Sequence, residues 1–138
     1  MDIRARVEHA EGKHDVALQT NGIAHALVIA PKAVGGGSSV NGGELLCLAL
    51  ATCYCNDLYR EAARQGVQVL RVTVEVQGNF PAEGAPATHL TYSASVTARA
   101  SAQAIRELMA HTDRVAEVQN TLRAATPVTL GHIEAISV

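Results

Sequence analysis

Residues 41–66, NGGELLCLALATCYCNDLYREAARQG, decide the fold. They read as one long helix. Asn41 caps its start, and Glu44 stands three residues on, the spacing of a capping box. Gly42 and Gly43 are poor helix formers and loosen the first turn. From Leu45 to Cys55 nearly every residue is apolar or small, and a helix apolar all round is buried on all sides. From Asn56 onward polar residues (Asp57, Arg60, Glu61, Arg64) alternate with Leu58, Tyr59, Ala62 and Ala63, an amphipathic pattern. Gly66 stops the helix in the C′ role. All three cysteines, Cys47, Cys53 and Cys55, lie in the apolar half, so any redox chemistry belongs there.

The chain has 138 residues, the size of a single domain spanning 1–138. A helix of about 24 residues is about 36 Å long, and covering it on every side would take much of so small a core. A second copy of the chain would complete the cover, which predicts an obligate homodimer. The formal net charge is −2, with basic residues scattered along the chain, which argues against nucleic acid and anionic membrane as partners. The first residues, Met1-Asp2-Ile3-Arg4, lack the apolar run of a signal peptide. The apolar run of the central helix, about 11 residues, falls short of the ~20 that span a bilayer. Three clustered cysteines do not form a disulfide framework, so the expected location is a reducing cytoplasm.

Before the helix, Ile3–Ala10 and His14–Thr20 alternate as half-buried strands, with a turn at Glu11-Gly12. Asn21-Gly22 is a hairpin signal, and Ala24–Ala30 is expected as a third strand ended by Pro31. Gly35-Gly36-Gly37-Ser38-Ser39 is a hinge into the helix; it lacks the Lys-Ser/Thr of a phosphate loop. After the helix, Val69–Phe80 and Thr88–Arg99 are two long strands. The first points Leu70, Val72, Val74 and Val76 one way; the second does the same with Leu90, Tyr92, Ala94, Val96 and Ala98. Ser101 caps a helix running to about Ala110, Asp113 caps another running to Leu122, and Pro127–Val138 is a last strand with a bulge at Gly131-His132. The order βββ-α-ββ-αα-β makes an α+β protein with antiparallel sheets around a long central helix.

The six histidines make neither HxxxH nor HExxH, and there is no CxxC, so no metal site and no cofactor is expected. No nucleophile elbow is spelled. Among the cysteines no pair can bridge within an intact helix. Cys53 and Cys55 are about 200° apart around the axis, and Cys47 and Cys53 about 240° apart. Cysteine is often only a packing residue. A reactive thiolate at Cys53 needs a positive neighbour. The nearest charge within the helix is Asp57, which raises the thiol pKa, so a cation has to come from another segment.

The stretch GGGSSVNGGELLCLALATCYCNDLYREAARQGVQV, with Val-Glu-Val-Gln-Gly downstream and the order of elements, resembles the OsmC/Ohr family of osmotically inducible and organic-hydroperoxide-resistance proteins. The resemblance implies an OsmC-like fold, an intertwined homodimer, and thiol-dependent reduction of organic hydroperoxides. Cys53 falls on the position of the peroxidatic cysteine. Ala116 stands where the resolving cysteine would be, and Gly43 where a helix-start glutamate would be; Glu44 is adjacent but faces away from Cys53. Lys13, in the turn Gly12-Lys13-His14, takes the place of the family's thiolate-stabilising arginine without its bidentate fork. Two functions follow as expectations. One is a one-cysteine thiol peroxidase with catalytic Cys53 and Lys13 and an external thiol as resolving partner. The alternative is a non-catalytic homodimer binding an apolar small molecule or thiol near Cys53.

Overall fold

The computed structural model describes all 138 residues, in two compact units, Met1–Leu46 and Cys47–Val138. In the first unit β1 (Ile3–Ala10), β2 (Lys13–Thr20) and β3 (Ile23–His25) form an antiparallel meander in the order β1-β2-β3. Both connections are two-residue turns. Glu11 and Gly12 have φ of 51° and 74°, Asn21 and Gly22 of 49° and 80°. Positive φ at both central residues is the type I′ geometry, whose twist matches that of paired strands. The expected strand over Ala24–Ala30 stops at His25. From there the chain leaves the ladder, Val28 turns out to solvent, and Ile29 is buried. Pro31 then bridges Ser38 across the glycine-rich loop, which Lys32 and Ser39 close by donating to the carbonyls of Gly37 and Ala30.

Helix α1 runs Gly42–Arg64. Its start is a complete capping box: Asn41 Oδ1 accepts from the Glu44 amide at 2.9 Å, and Glu44 Oε2 from the Asn41 amide at 2.8 Å. Its end is a Schellman motif. Gly66 adopts φ 68°, the Val67 amide donates to Ala62 O, and the Gly66 amide to Ala63 O.

In the second unit β4 (Gln68–Asn79) and β5 (Thr88–Arg99) pair antiparallel. The core sits between this ribbon and the helices. Tyr54, Leu58 and Ala62 of α1 meet Leu108 of α2 (Ala102–Val115), and Val69, Val72, Val74, Tyr92, Ala94 and Val96 of the sheet pack against them. The register slips between Val69 and Arg71. That bulge puts Val69 inward and leaves Leu70 outward, against the uniform alternation expected, because one extra residue reverses the facing of everything before it. On β5 the inward set is the expected one, Leu90 to Ala98.

Three further expectations are corrected. Ser101 does cap α2, its hydroxyl accepting from the Ala104 amide at 3.1 Å, but α2 continues to Val115. Asp113 is therefore inside α2 and caps nothing; its carboxylate takes the Tyr92 hydroxyl and Arg123. The next helix, α3, is Glu117–Arg123 and starts after Ala116, whose extended backbone (φ −72°, ψ 108°) breaks the path. Residues 127–138 form no strand, and Val128, Leu130, Ile133 and Ile136 are exposed. Alternation says that a segment has a face to bury, not that a partner strand lies beside it. Finally, α1 is not buried on all sides within one chain. Leu50, Tyr54 and Leu58 are covered, while Leu48 is 55 % exposed and Tyr59 lies open on the opposite face.

Candidate functional site

Cys53 sits at mid-length on α1, half-buried. Asp57 follows one turn on, about 40° around the axis, so both side chains rise on the same side. The thiol donates to Asp57 Oδ2 at 3.3 Å. The break at Ala116, which is fully buried, brings α3 across this face of α1. Glu117 Oε2 then lies 3.9 Å from Cys53 Sγ, and the Val118 amide donates to the sulfur at 3.5 Å. Ala116, the residue matched to the resolving cysteine, thus adjoins the two residues of α3 that reach Cys53.

Arg60 ties the carboxylates together. Its Nη1 donates to Asp57 Oδ1 at 2.8 Å and to Glu117 Oε1 at 3.1 Å, and its Nε to Glu61 Oε1 at 2.9 Å. Glu61, itself buried, also takes Arg64 at 2.8 Å and meets His111 Nε2 at 3.1 Å. Two buried carboxylates on one helix face are tolerable because each is paired and hydrogen-bonded.

The electrostatics follow from these contacts. Burial pushes the Cys53 thiol up; the Val118 amide works against it, and the Asp57 and Glu117 carboxylates add to it. Burial likewise raises Asp57, and its hydrogen bond to Glu117 raises it further. Glu117 is held low, first by its backbone hydrogen bond and then by Asp57. Of this carboxyl pair Asp57 is the member that holds a proton more readily. Glu61 is held low chiefly by Arg60.

The expected site residues fall in different units. Cys53 has the surroundings just described. Lys13 is the first residue of β2 in the first unit, exposed and without an ion pair. Cys47 and Cys55 are free, half-buried thiols without a polar partner, and no disulfide is formed. The cation beside the Asp57 and Glu117 carboxylates is Arg60 of α1 itself, not one on another segment as expected. It lies seven residues beyond Cys53, two turns on and on the same face, so the 53/57/60 spacing marks it in the sequence. Glu117 had no such signal, because its approach depends on how α3 packs. Cys53, Asp57 and Glu117 place one sulfur and two oxygens within 4.8 Å of one another, a donor set that could hold a cation. Arg60 already compensates both of these carboxylates.

Beside this site a cavity of ≈ 110 Å³ has mostly apolar walls, Leu50, Val76, Leu90, Tyr92 and Leu122, with the polar Thr91, Gln119 and Arg123 completing its lining. Gln119 anchors α3 there by donating from Nε2 to Leu50 O at 2.9 Å. No helix is long and apolar enough to cross a membrane.

A comparison with curated proteins finds no match. Solved structures are similar along most of their length. An OsmC-like protein from Mycoplasma pneumoniae has a TM-score of 0.62 at 15 % identity, covering 91 % of this chain and 92 % of that one. An organic hydroperoxide resistance protein OsmC from Legionella pneumophila has a TM-score of 0.58 at 17 % identity, covering 89 % and 90 %. An OsmC-like protein of unknown function from Vibrio cholerae has a TM-score of 0.59 at 14 % identity, covering 88 % and 93 %. At such identities these likenesses speak to the α+β fold. The family model described as OsmC-like protein matches residues 35–131, a span that takes in α1, the β4–β5 ribbon, α2, α3 and every partner of Cys53, and so the chain belongs to the OsmC-like protein family.

Proposed function

We propose that the protein is a divergent, one-cysteine thiol peroxidase that reduces organic hydroperoxides in the cytoplasm in defence against oxidative stress, acting as a homodimer in which residues 1–138 of each copy make one OsmC-like domain. The observation that carries the reading is the surroundings of Cys53. It alone among the three cysteines has polar partners at its sulfur: an amide that donates to it and a carboxylate that accepts a hydrogen bond from it. In the reaction Cys53 sulfur attacks the terminal oxygen of ROOH, the O–O bond breaks, and the alkoxide leaves with the thiol proton as ROH. Cys53 is left as sulfenic acid. With alanine at position 116, an external thiol condenses with the sulfenic acid, releasing water, and a second thiol reduces the mixed disulfide. Lys13 is the proposed thiolate stabiliser.

Treatment with an organic hydroperoxide is expected to yield a dimedone adduct on Cys53 and no intramolecular disulfide, with excess oxidant driving Cys53 to sulfinic acid. Peptide mass spectrometry reads all three products. An intact Cys53 thiol after oxidant rejects the peroxidase.

The second reading, a non-catalytic dimer that binds an apolar small molecule or thiol near Cys53, has its own support. The thiol pKa is raised, and the apolar cavity shares α3 with the partners of Cys53. An intact thiol combined with saturable binding of an apolar probe selects this reading.

Both readings use the homodimer. The open face of α1, with Leu48 and Tyr59, supports it. Sedimentation is expected to give a dimer at micromolar concentration, with an interface above ~2,000 Å², the size of obligate interfaces. A folded, stable monomer at that concentration rejects the assembly.

A further inference from the structure

In the first unit, β1 and β2 set His9 directly opposite His14. The pair stands one step from the Glu11-Gly12 turn, whose flanking residues are Ala10 and Lys13. In a two-residue hairpin the flanking pair exchanges backbone hydrogen bonds, so the next pair is of the non-hydrogen-bonded kind. Such pairs have the shorter Cα separation, about 4.5 Å, and bring their side chains closest together. The two imidazoles are 5.8 Å apart between ring centroids and tilted at 45°.

Neither ring is committed to the protein. No side-chain hydrogen bond or ion pair holds His9 or His14, and His14 Nδ1 is buried without a partner. A buried ring nitrogen left unpaired is costly, and a ligand that takes its lone pair removes the cost. The glycine-rich loop passes the other ring. A Cβ on Gly36 would lie 3.8 Å from His9 Nε2 and Cδ2, so glycine keeps that edge clear of a side chain. Glu8 and Asp15, the next cross-strand pair, add acidic charge beside the histidines; Glu8 is partly offset by Arg6, and Lys13 is the nearest unpaired cation in sequence.

We propose that His9 and His14 form a chelating pair for a divalent ion of the zinc class, each strand supplying one ring nitrogen and water completing the coordination. The dimensions fit. With a Zn–N bond of about 2.0–2.1 Å the ion lies roughly 3.2 Å from each ring centroid, so two bound rings stand roughly 5–6 Å apart for angles near tetrahedral or somewhat wider. Neutral imidazole is a donor suited to zinc, and the two open positions set this site apart from a closed structural one. The histidine spacing in the chain, five residues, matches no helical zinc motif; the hairpin register makes the pair.

Zn²⁺ alone is the probe. Titration calorimetry on the full chain is expected to show one site per chain that is weakened at least tenfold in His9→Asn and in His14→Asn, and unchanged in His132→Asn. In the unaltered protein, Zn²⁺ is expected to shift the ring NMR signals of His9 and His14 ahead of the other four histidines. That measurement decides the question even where a variant fails to fold. Binding that survives both substitutions, or that moves other ring signals or only the cysteines while leaving His9 and His14 in place, overturns the proposal.

Discussion

Asp57→Asn is expected to lower the pKa of the Cys53 thiol and to speed its alkylation at neutral pH. In the wild type the thiol is raised by burial, with the two carboxylates adding to it. Asparagine keeps the shape, gives its one oxygen to Arg60 and turns its amide N–H toward the sulfur, and it removes the nearest negative charge. The pH dependence has a definite sign. The thiolate is the reactive form, so the alkylation rate rises with pH through the thiol pKa. For a raised pKa that rise lies above the ~8.5 of free cysteine, and in Asp57→Asn the whole curve moves to lower pH, about tenfold more thiolate per unit at a pH below both values. Cys47→Ala and Cys55→Ala in the background isolate the one thiol. Lys13→Ala is the companion measurement. A stabilising Lys13 gives a curve displaced to higher pH in that variant; an unmoved curve removes Lys13 from the site and favours the binding reading. A pKa for Cys53 that is unaltered in Asp57→Asn would reject the carboxylate's influence.

Leu108→Ala is expected to cost about 2–5 kcal/mol of stability, the range for truncating a fully enclosed leucine when the cavity only partly collapses. Leu108 is 0 % exposed and packs with Tyr54, Leu58 and Ala62. It joins α2 to α1, and α2 leads through Ala116 to Glu117, so loosening it also loosens the partners of Cys53. Urea unfolding at a fixed protein concentration should show a lower midpoint with an unchanged slope. Leu48→Ala, at an open position of the same helix, should cost the isolated chain far less, so any large loss there reports the proposed dimer interface. A loss below ~1 kcal/mol for Leu108→Ala would contradict the packing described.

Much of this chain is decided locally. The capping box at Asn41 and Glu44, the Schellman end at Gly66, the two type I′ turns and the Ser101 cap each depend on residues within a few positions of one another. Their chemistry is therefore written in the order of the chain, and the structure has all of them. The apolar alternation of β5 belongs here too, and so does the placing of Cys53 and Asp57 on one helix face. Other features depend on what the chain meets. Leu70 faces outward because a bulge reverses the strand's phase, which alternation cannot announce. Ile23–His25 pairs while the apolar residues after it do not, and the alternating C-terminal segment finds no strand to join. Asp113 has the composition of a cap yet lies inside α2, where Tyr92 and Arg123 engage it. At the site, helical spacing would have disclosed Arg60. Glu117 and the Val118 amide come from 64 and 65 residues away, and only the packing of α3 over α1, set by the break at Ala116, brings them to the sulfur. Periodicity specifies which face of an element is to be covered; which residues cover it, and so the charge beside Cys53, is a property of the packed chain.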